Sequence, residues 1–453
     1  MATITLRQAA AWCGGQVDEK YADVTFLGAN NDSRKLLPGQ LFVALQGQRD
    51  GHDFIPMAME KGAAAVLCSR SCGDYPAIIV EDPRRALGDI ARQERKRIGM
   101  KVVGVTGSVG KSTTKEMIAC VLDGSYRVEK TPVNQNNDIG MPMAILSMRQ
   151  DTQVAVLEMG MNHFREIAYL SSIAQPDVAV IVNIGTMHIE HLGNREGILQ
   201  AKMEILEGMC EGGTVILNGD DDLLWSKREL PHKKLAYFAE NNAQASVLGQ
   251  NVEEEDGLIR FQVSSGNLTF PVELSLEGRH YVSDALAAVS VGIAMGVSAA
   301  NIQERLSLFR NMAGRQEIFS AKGCTVIKDC YNAGPESMKA ALTVLGKKEG
   351  RRVAVLGDML ELGVCTQAEH YRVGRIAAEN ADILIAYGPN GKRVISGALT
   401  GGMPEARAMA FEDRDLASAT LKRIVKPGDV LLFKGSRGMH MELILEKFLE
   451  DET

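Results

Sequence analysis

Short apolar runs alternate with longer amphipathic stretches along most of the chain, the pattern of strands joined by helices. Over residues 1–98, runs at 40–45, 64–68 and 77–80 predict strands, and helical spacing of apolar positions predicts helices at 6–12 and 53–61. The charged stretch 92–97 closes a last helix there, which sets a first domain boundary at 98. From 99 to 313, runs at 102–105, 154–157, 178–184 and 214–217 alternate with helical patterns at 164–173 and 196–209. Strands apolar on both faces and joined by crossover helices predict a parallel sheet. Polar and apolar positions then alternate over 258–274 around Ser264, Ser265, Gly266 and Asn267, which predicts a hairpin insertion before a helix at 282–295. From 314 to 453 the alternation restarts, with strands at 325–327, 352–356, 383–386 and 430–433 and helices at 335–345, 369–380, 416–424 and 441–449. The expected fold class is α/β in three domains: a small α/β unit, a central parallel-sheet unit, and a C-terminal Rossmann-like unit lacking the Gly-x-Gly-x-x-Gly of a dinucleotide site.

The run at 102–105 leads into Gly107, Ser108, Val109, Gly110, Lys111, Ser112, Thr113 and Thr114, followed by a helical stretch. Strand, glycine turn and helix together hold phosphate. Backbone N–H groups of the turn face the anion, Lys111 reaches a terminal phosphate, and the Ser112 hydroxyl can ligate Mg²⁺. Gly107 and Gly110 enclose two residues rather than the usual four, so this is a short P-loop variant for an ATP-type nucleotide.

Composition narrows the rest. With 453 residues, 45% hydrophobic and 24% charged, the chain can bury a core in each domain. A net charge of −7 argues against a nucleic-acid or anionic-membrane surface. The eight cysteines form no Cys-x-x-Cys pair, so neither a zinc site nor a disulfide framework is expected, and a reducing cytoplasm fits. No apolar run of about 20 residues occurs, so no membrane insertion is expected.

Ligands of open α/β sheets gather at the carboxyl ends of strands. Glu158 follows the run at 154–157, and a carboxylate beside a phosphate turn suits a hard divalent cation. His188 follows the run at 178–184, and Lys202 lies on the next helical stretch; their residue chemistry alone reads first as a structural histidine and a solvated lysine. In the last third, Tyr331 and Asn332, Asp358, and Ser436 each follow a predicted strand and would line one edge as a set.

Taken together these motifs resemble the Mur ligases, ATP-dependent amide-forming enzymes of peptidoglycan precursor synthesis, over nearly the whole chain. The short phosphate turn at 106–114 is the family's variant. Asn136, Asn137, Asp138, Ile139 and Gly140, with Glu158, Met159, Gly160, Met161, Asn162 and His163, resemble the dipeptide-adding branch, as do Tyr331-Asn332-Ala333 and the segment from Gly357 through Asp358 to Gly363. The Asp-Asn-Pro-Arg motif of the sister enzyme that adds the third residue is absent from the last domain.

The resemblance implies ATP and two Mg²⁺ ions as cofactors, with Ser112, Glu158, His188 and a carbamylated Lys202 as metal ligands. Lys111, Glu158, His188 and Lys202 would be catalytic, and the turn residues 107–113 with His280 and Arg315 would hold ATP. It implies small-molecule substrates, UDP-MurNAc-tripeptide and D-Ala-D-Ala, contacted by Ser33, Arg34, Asn137, Asp138, Tyr331, Asn332, Asp358 and Ser436, in a cytoplasmic monomer. The chain departs from the family at Tyr281 and Asp284, where asparagine is common, and at Gly334. A P-loop switch or motor is disfavoured because no Asn-Lys-x-Asp guanine motif occurs, and a folylpolyglutamate synthetase-like ligase because of Asp32-Ser33-Arg34. The complete set Lys111, Glu158, His188 and Lys202 argues against an inactive binding subunit.

Overall fold

The computed structural model describes residues 3–230, 232–255 and 257–450. Residues 1–2 and 451–453, the outer ends of the first and third expected domains, lie outside the described residues.

The first sheet has five short strands in the order Gln16–Val17, Ala77–Ile79, Ala65–Cys68, Leu41–Val43, Ala29–Asn30, parallel except at the first pairing. Helix Leu6–Cys13 starts on a capping box: Thr5 Oγ1 accepts from the Gln8 N–H at 3.1 Å, and Gln8 Oε1 from the Thr5 N–H at 3.2 Å. Helix Pro83–Ile98 has Asp82 as its cap, proline at its start and three basic residues in its last turn, then stops at Gly99 with φ 73°.

The central sheet has nine strands in the order Val128–Lys130, Val154–Glu158, Lys101–Thr106, Val178–Ile181, Thr214–Asn218, Lys234–Ala239, Val247–Glu255, Leu258–Ser265, Leu268–Leu274. The first seven run parallel. The expected hairpin forms, but it is not an insertion. It pairs antiparallel with Val247–Glu255 and extends the parallel sheet at its edge. The helix expected over 196–209 ends at Met203, after which Glu204–Leu206 is a 3₁₀ turn. There the buried Glu204 carboxylate accepts from the Arg165 and Ala168 N–H groups at 2.8 and 3.2 Å, satisfying the start of the neighbouring helix Glu166–Ala174.

The third sheet has six strands in the order Glu317–Ala321, Cys324–Asp329, Val430–Lys434, Arg352–Gly357, Ile383–Tyr387, Ala408–Phe411, parallel except at the first pairing. Its expected strands and helices are present, and helix Gly391–Thr400 and the two edge strands add to them.

One apolar cluster runs without a break from the first domain into the central one. Leu87 and Ile90 of helix Pro83–Ile98 join Met141, Ile145, Ile167 and Leu170. Each is at most 1% exposed, and burying such a side chain stabilises by about 1.5–3 kcal/mol. The opposite face of the central sheet packs on helix His280–Ala294 through Val282, Leu286 and Val289. Among the described residues, the third domain's two clusters contain no residue from the other domains. No helix among the described residues is long and apolar enough to cross a membrane.

Candidate active site

Strand Val154–Glu158 pairs directly with Lys101–Thr106, placing Glu158 opposite Val105 and beside the phosphate turn. Strand Val178–Ile181 flanks the other side, with Ile181 opposite Thr106. From there Asn183 braces the turn: its Oδ1 accepts from the Ser108 and Val109 N–H groups at 3.1 and 3.0 Å, and its Nδ2 donates to the Val109 carbonyl at 3.0 Å. Gly110, at φ 81°, begins helix Lys111–Asp123, and a Cβ there would lie 2.5 Å from Asp284 Oδ1. Lys111 folds back, donating to the carbonyls of Gly107 and Ser108 at 2.8 and 3.0 Å. Burial lowers its pKa, against the pull of Glu158.

The Ser112 hydroxyl donates to Glu158 Oε2 at 2.7 Å and accepts from Arg315 Nη2 at 2.8 Å. Asn136 Nδ2 donates to the other carboxylate oxygen, Oε1, at 2.9 Å. Behind them Lys115, wholly buried, donates to the Thr131 carbonyl at 2.7 Å and stands 3.9 Å from Glu158. A hydroxyl and a carboxylate converging beside a phosphate turn are the hard oxygen donors that Mg²⁺ takes.

His188, at φ 63°, places Nδ1 2.6 Å from Glu361 Oε2 of the third domain, a close contact without hydrogen-bond alignment. That contact holds the Glu361 carboxyl below its ordinary pKa. Lys202 is not a solvated helix charge. It is 2% exposed, and burial, then the Lys111 charge, pushes its pKa well below the ordinary lysine value. Asp284, also buried, accepts from the Thr114 hydroxyl at 2.8 Å, and burial raises its carboxyl to about 7. His280 borders the same space, where burial pushes its pKa down to about 4. Tyr281 accepts at its hydroxyl from Asn311 Nδ2 at 2.6 Å.

These groups face the strand ends of the third domain across a cavity of about 870 Å³. Ser108 to Thr113, Asn137, Asp138, Glu158, His188, His280, Arg315, Tyr331 and Asn332 all line it. Arg315 stacks over the Tyr331 ring at 4.1 Å, and the Tyr331 hydroxyl donates to Asn134. Asp138 pairs with Arg84 of the first domain at 2.9 Å, while Asn137 Oδ1 accepts from the N–H of Gly140, the first residue of helix Gly140–Leu146, at 2.8 Å.

The remaining expected residues do not line the cavity. Gly107 lends only its carbonyl to Lys111, and Lys202 is enclosed. Ser33 is buried in the first domain, where Arg34 forks onto Asp32 with both hydrogen bonds at 2.9 Å. Asp358 accepts from Asn390 Nδ2 at 2.7 Å; Ser436 accepts from the Leu360 N–H at 2.9 Å and donates to the Ala333 carbonyl at 3.2 Å. Both are thus fully engaged in joining strand ends. Sequence reasoning assigned no role to Lys115, Asn183 or Glu336, whose significance depends on burial and on partners distant in sequence.

Comparison with known proteins follows the same division. Residues 23–95 match the Mur ligase family catalytic domain, 105–292 the Mur ligase middle domain, and 314–437 the Mur ligase glutamate ligase domain. The chain is 39% identical over 446 residues to the UDP-N-acetylmuramoyl-tripeptide–D-alanyl-D-alanine ligase of Bacillus subtilis, covering 96% of each, and 35% identical over the full length of both to that of Escherichia coli. It superposes on a crystal structure of MurF from Acinetobacter baumannii with TM-score 0.91 at 32% identity, covering 100% of each chain. A Thermotoga maritima MurF ligase in complex with ADP gives 0.82 at 30% identity, covering 93% of this chain and 97% of that one. A short phosphate turn facing a separate α/β domain, matched over its whole length by these relatives, establishes that this chain belongs to the Mur ligase family.

Proposed function

We infer that the chain is an ATP-dependent ligase that joins D-alanyl-D-alanine to UDP-N-acetylmuramoyl-tripeptide in peptidoglycan precursor synthesis. The observation that carries this reading is the cavity in which Lys111, Ser112 and Glu158 of the central domain face Tyr331 and Asn332 of the third. A carboxylate is inert to amines at neutral pH. ATP therefore transfers its γ-phosphoryl group to the terminal carboxylate of the tripeptide, giving an acyl phosphate and ADP. The neutral dipeptide amine attacks the acyl carbon, the C–N bond forms, the nitrogen gives up a proton to solvent, and the tetrahedral intermediate breaks its C–O bond to release phosphate. The N–H groups of the turn and Lys111 bind and orient the phosphates, while Arg315 adds positive charge beside Ser112. His280 and Tyr281 border the nucleotide, and Ser33 and Arg34 serve the UDP group from the first domain.

Mg²⁺ bound here would neutralise charge on the transferring phosphoryl group. Ser112 and Glu158 would hold one ion, and His188 and Lys202 a second. Lys202 fits that role only after carbamylation, which converts an amine into oxygen donors. That reaction needs a neutral amine, and the buried, pKa-lowered Lys202 is suited to supply one. Domains divided at 98 and 313, and a cytoplasmic monomer, complete the proposal.

ADP release by purified protein with UDP-MurNAc-tripeptide and D-Ala-D-Ala tests the reaction. Release should require both substrates; release unchanged on omitting the dipeptide, or on replacing it with free D-alanine, would exclude it. Turnover on lysine- and diaminopimelate-containing tripeptides identifies the third residue.

A further inference from the structure

The carboxylates that line the cavity differ in what neutralises them. Asp138 pairs with Arg84, Asp329 with Lys434, and Glu158 with Lys115 and two hydrogen-bond donors. Glu166 accepts from the Asn162 N–H at 2.7 Å and lies against His163. Asp284 accepts from Thr114, and burial favours its neutral form. Glu336 has no cationic partner among the described residues. Its Oε1 accepts from the backbone N–H and hydroxyl of Thr186 at 3.1 and 3.0 Å, and its Oε2 is buried with no hydrogen-bond partner. A buried carboxylate oxygen left unpaired is costly and calls for an explanation.

Glu336 sits in the first turn of helix Pro335–Gly346, on the third-domain side of the cavity, and reaches across to the central-domain loop after Asn183. Gly185 makes that approach possible: a Cβ there would lie 2.9 Å from the Glu336 carboxyl carbon. The charge therefore stands where the two domains meet, within the space shared by the phosphate turn and the third-domain strand ends. The incoming dipeptide presents an α-amino group with pKa about 7.7–8.0, mostly ammonium at neutral pH. It is the cation this position lacks.

We propose that Glu336 binds the N-terminal ammonium of the acceptor dipeptide and so positions its nitrogen, which attacks once the ammonium has released a proton to solvent. This rests on the ligase reading above and assigns one residue to acceptor recognition. It also explains why a carboxylate is tolerated there without a partner in the protein: the counter-ion is the substrate.

Steady-state kinetics of the full-length wild type and Glu336→Gln provide the test. Glutamine keeps an oxygen for Thr186 and removes only the charge. A charge-assisted hydrogen bond contributes enough that its loss should raise the KM for D-Ala-D-Ala about tenfold or more, with the KM values for ATP and UDP-MurNAc-tripeptide and the melting temperature unchanged. Propionyl-D-alanine, the same dipeptide without its amino group, should inhibit both proteins equally. In the wild type alone it should bind about tenfold more weakly than D-Ala-D-Ala, a comparison independent of any variant's folding. An unchanged dipeptide KM, all three KM values rising together, or propionyl-D-alanine matching the dipeptide in affinity would overturn the assignment. If wild-type ADP release did not depend on the dipeptide at all, the ligase reading itself would fall instead.

Discussion

Arg315, at the entry to the third domain, donates to Ser112 of the phosphate turn at 2.8 Å, and Ser112 in turn donates to Glu158. One hydroxyl thus links a cation from one domain to a carboxylate from another, and Asn136 holds the far oxygen of that carboxylate. Removing an outer partner of a metal-binding carboxylate typically costs about 10–100-fold in metal affinity or activity. Asn136→Ala should raise the Mg²⁺ concentration for half-maximal ADP formation by about tenfold or more. A Mg²⁺ titration at saturating substrates measures it, and an unshifted midpoint would remove Glu158 from the metal site.

Gly110→Ala should impair nucleotide binding. Its φ of 81° costs an L-residue about 1–2 kcal/mol, and the added methyl group would collide with Asp284 beneath the turn. Thermal unfolding should register the first effect and ADP titration the second, with affinity at least about tenfold lower if the turn must shift. Wild-type ADP affinity in this variant would show that the turn adapts.

Asp284 makes stability depend on pH in an unusual direction. Its carboxyl is raised from 3.8 to about 7 by burial, so the folded protein holds a proton that the unfolded chain releases. The contribution is complete below the unfolded value and declines as pH rises through about 7. Denaturant unfolding of Asp284→Asn across that window should fall less steeply with rising pH than the wild type. Parallel slopes would contradict the assignment.

Lys202→Ala should lose at least about 100-fold in activity, as loss of a metal ligand would, and short carboxylates such as acetate should restore part of it. The wild type given ¹³C-bicarbonate should show a carbamate carbon resonance that the variant lacks. No restoration and no resonance together would rule out carbamylation.

The phosphate turn, Glu158 and the parallel sheet behind them were legible because each depends on local order: an apolar run, then glycines, then a helix. The strands Lys234–Ala239 and Val247–Glu255 were not, since charged residues at Lys233, Lys234 and Glu253 to Glu255 break the apolar run expected of strands that lie inside a sheet. Asp358 and Ser436 show another limit. Polar residues at strand ends look alike in sequence whether they face a ligand or bond to a neighbouring loop, and here both bond to loops. Lys202 shows the reverse, because only packing reveals that a helical lysine is enclosed.

The continuous apolar layer beneath helix Pro83–Ile98 ties the first two domains into one body, whereas the third meets that body through contacts that include Arg315, Tyr331, Glu336, Lys347, Lys348 and Glu361. Heat or denaturant should therefore meet two cooperative units in this chain, not three. Among the described residues no apolar cluster spans the joint between the units, so it can open without disturbing either interior. On the function proposed above, the pieces that receive the nucleotide-linked sugar and the ATP would travel together, and the arm that delivers the acceptor would swing against them.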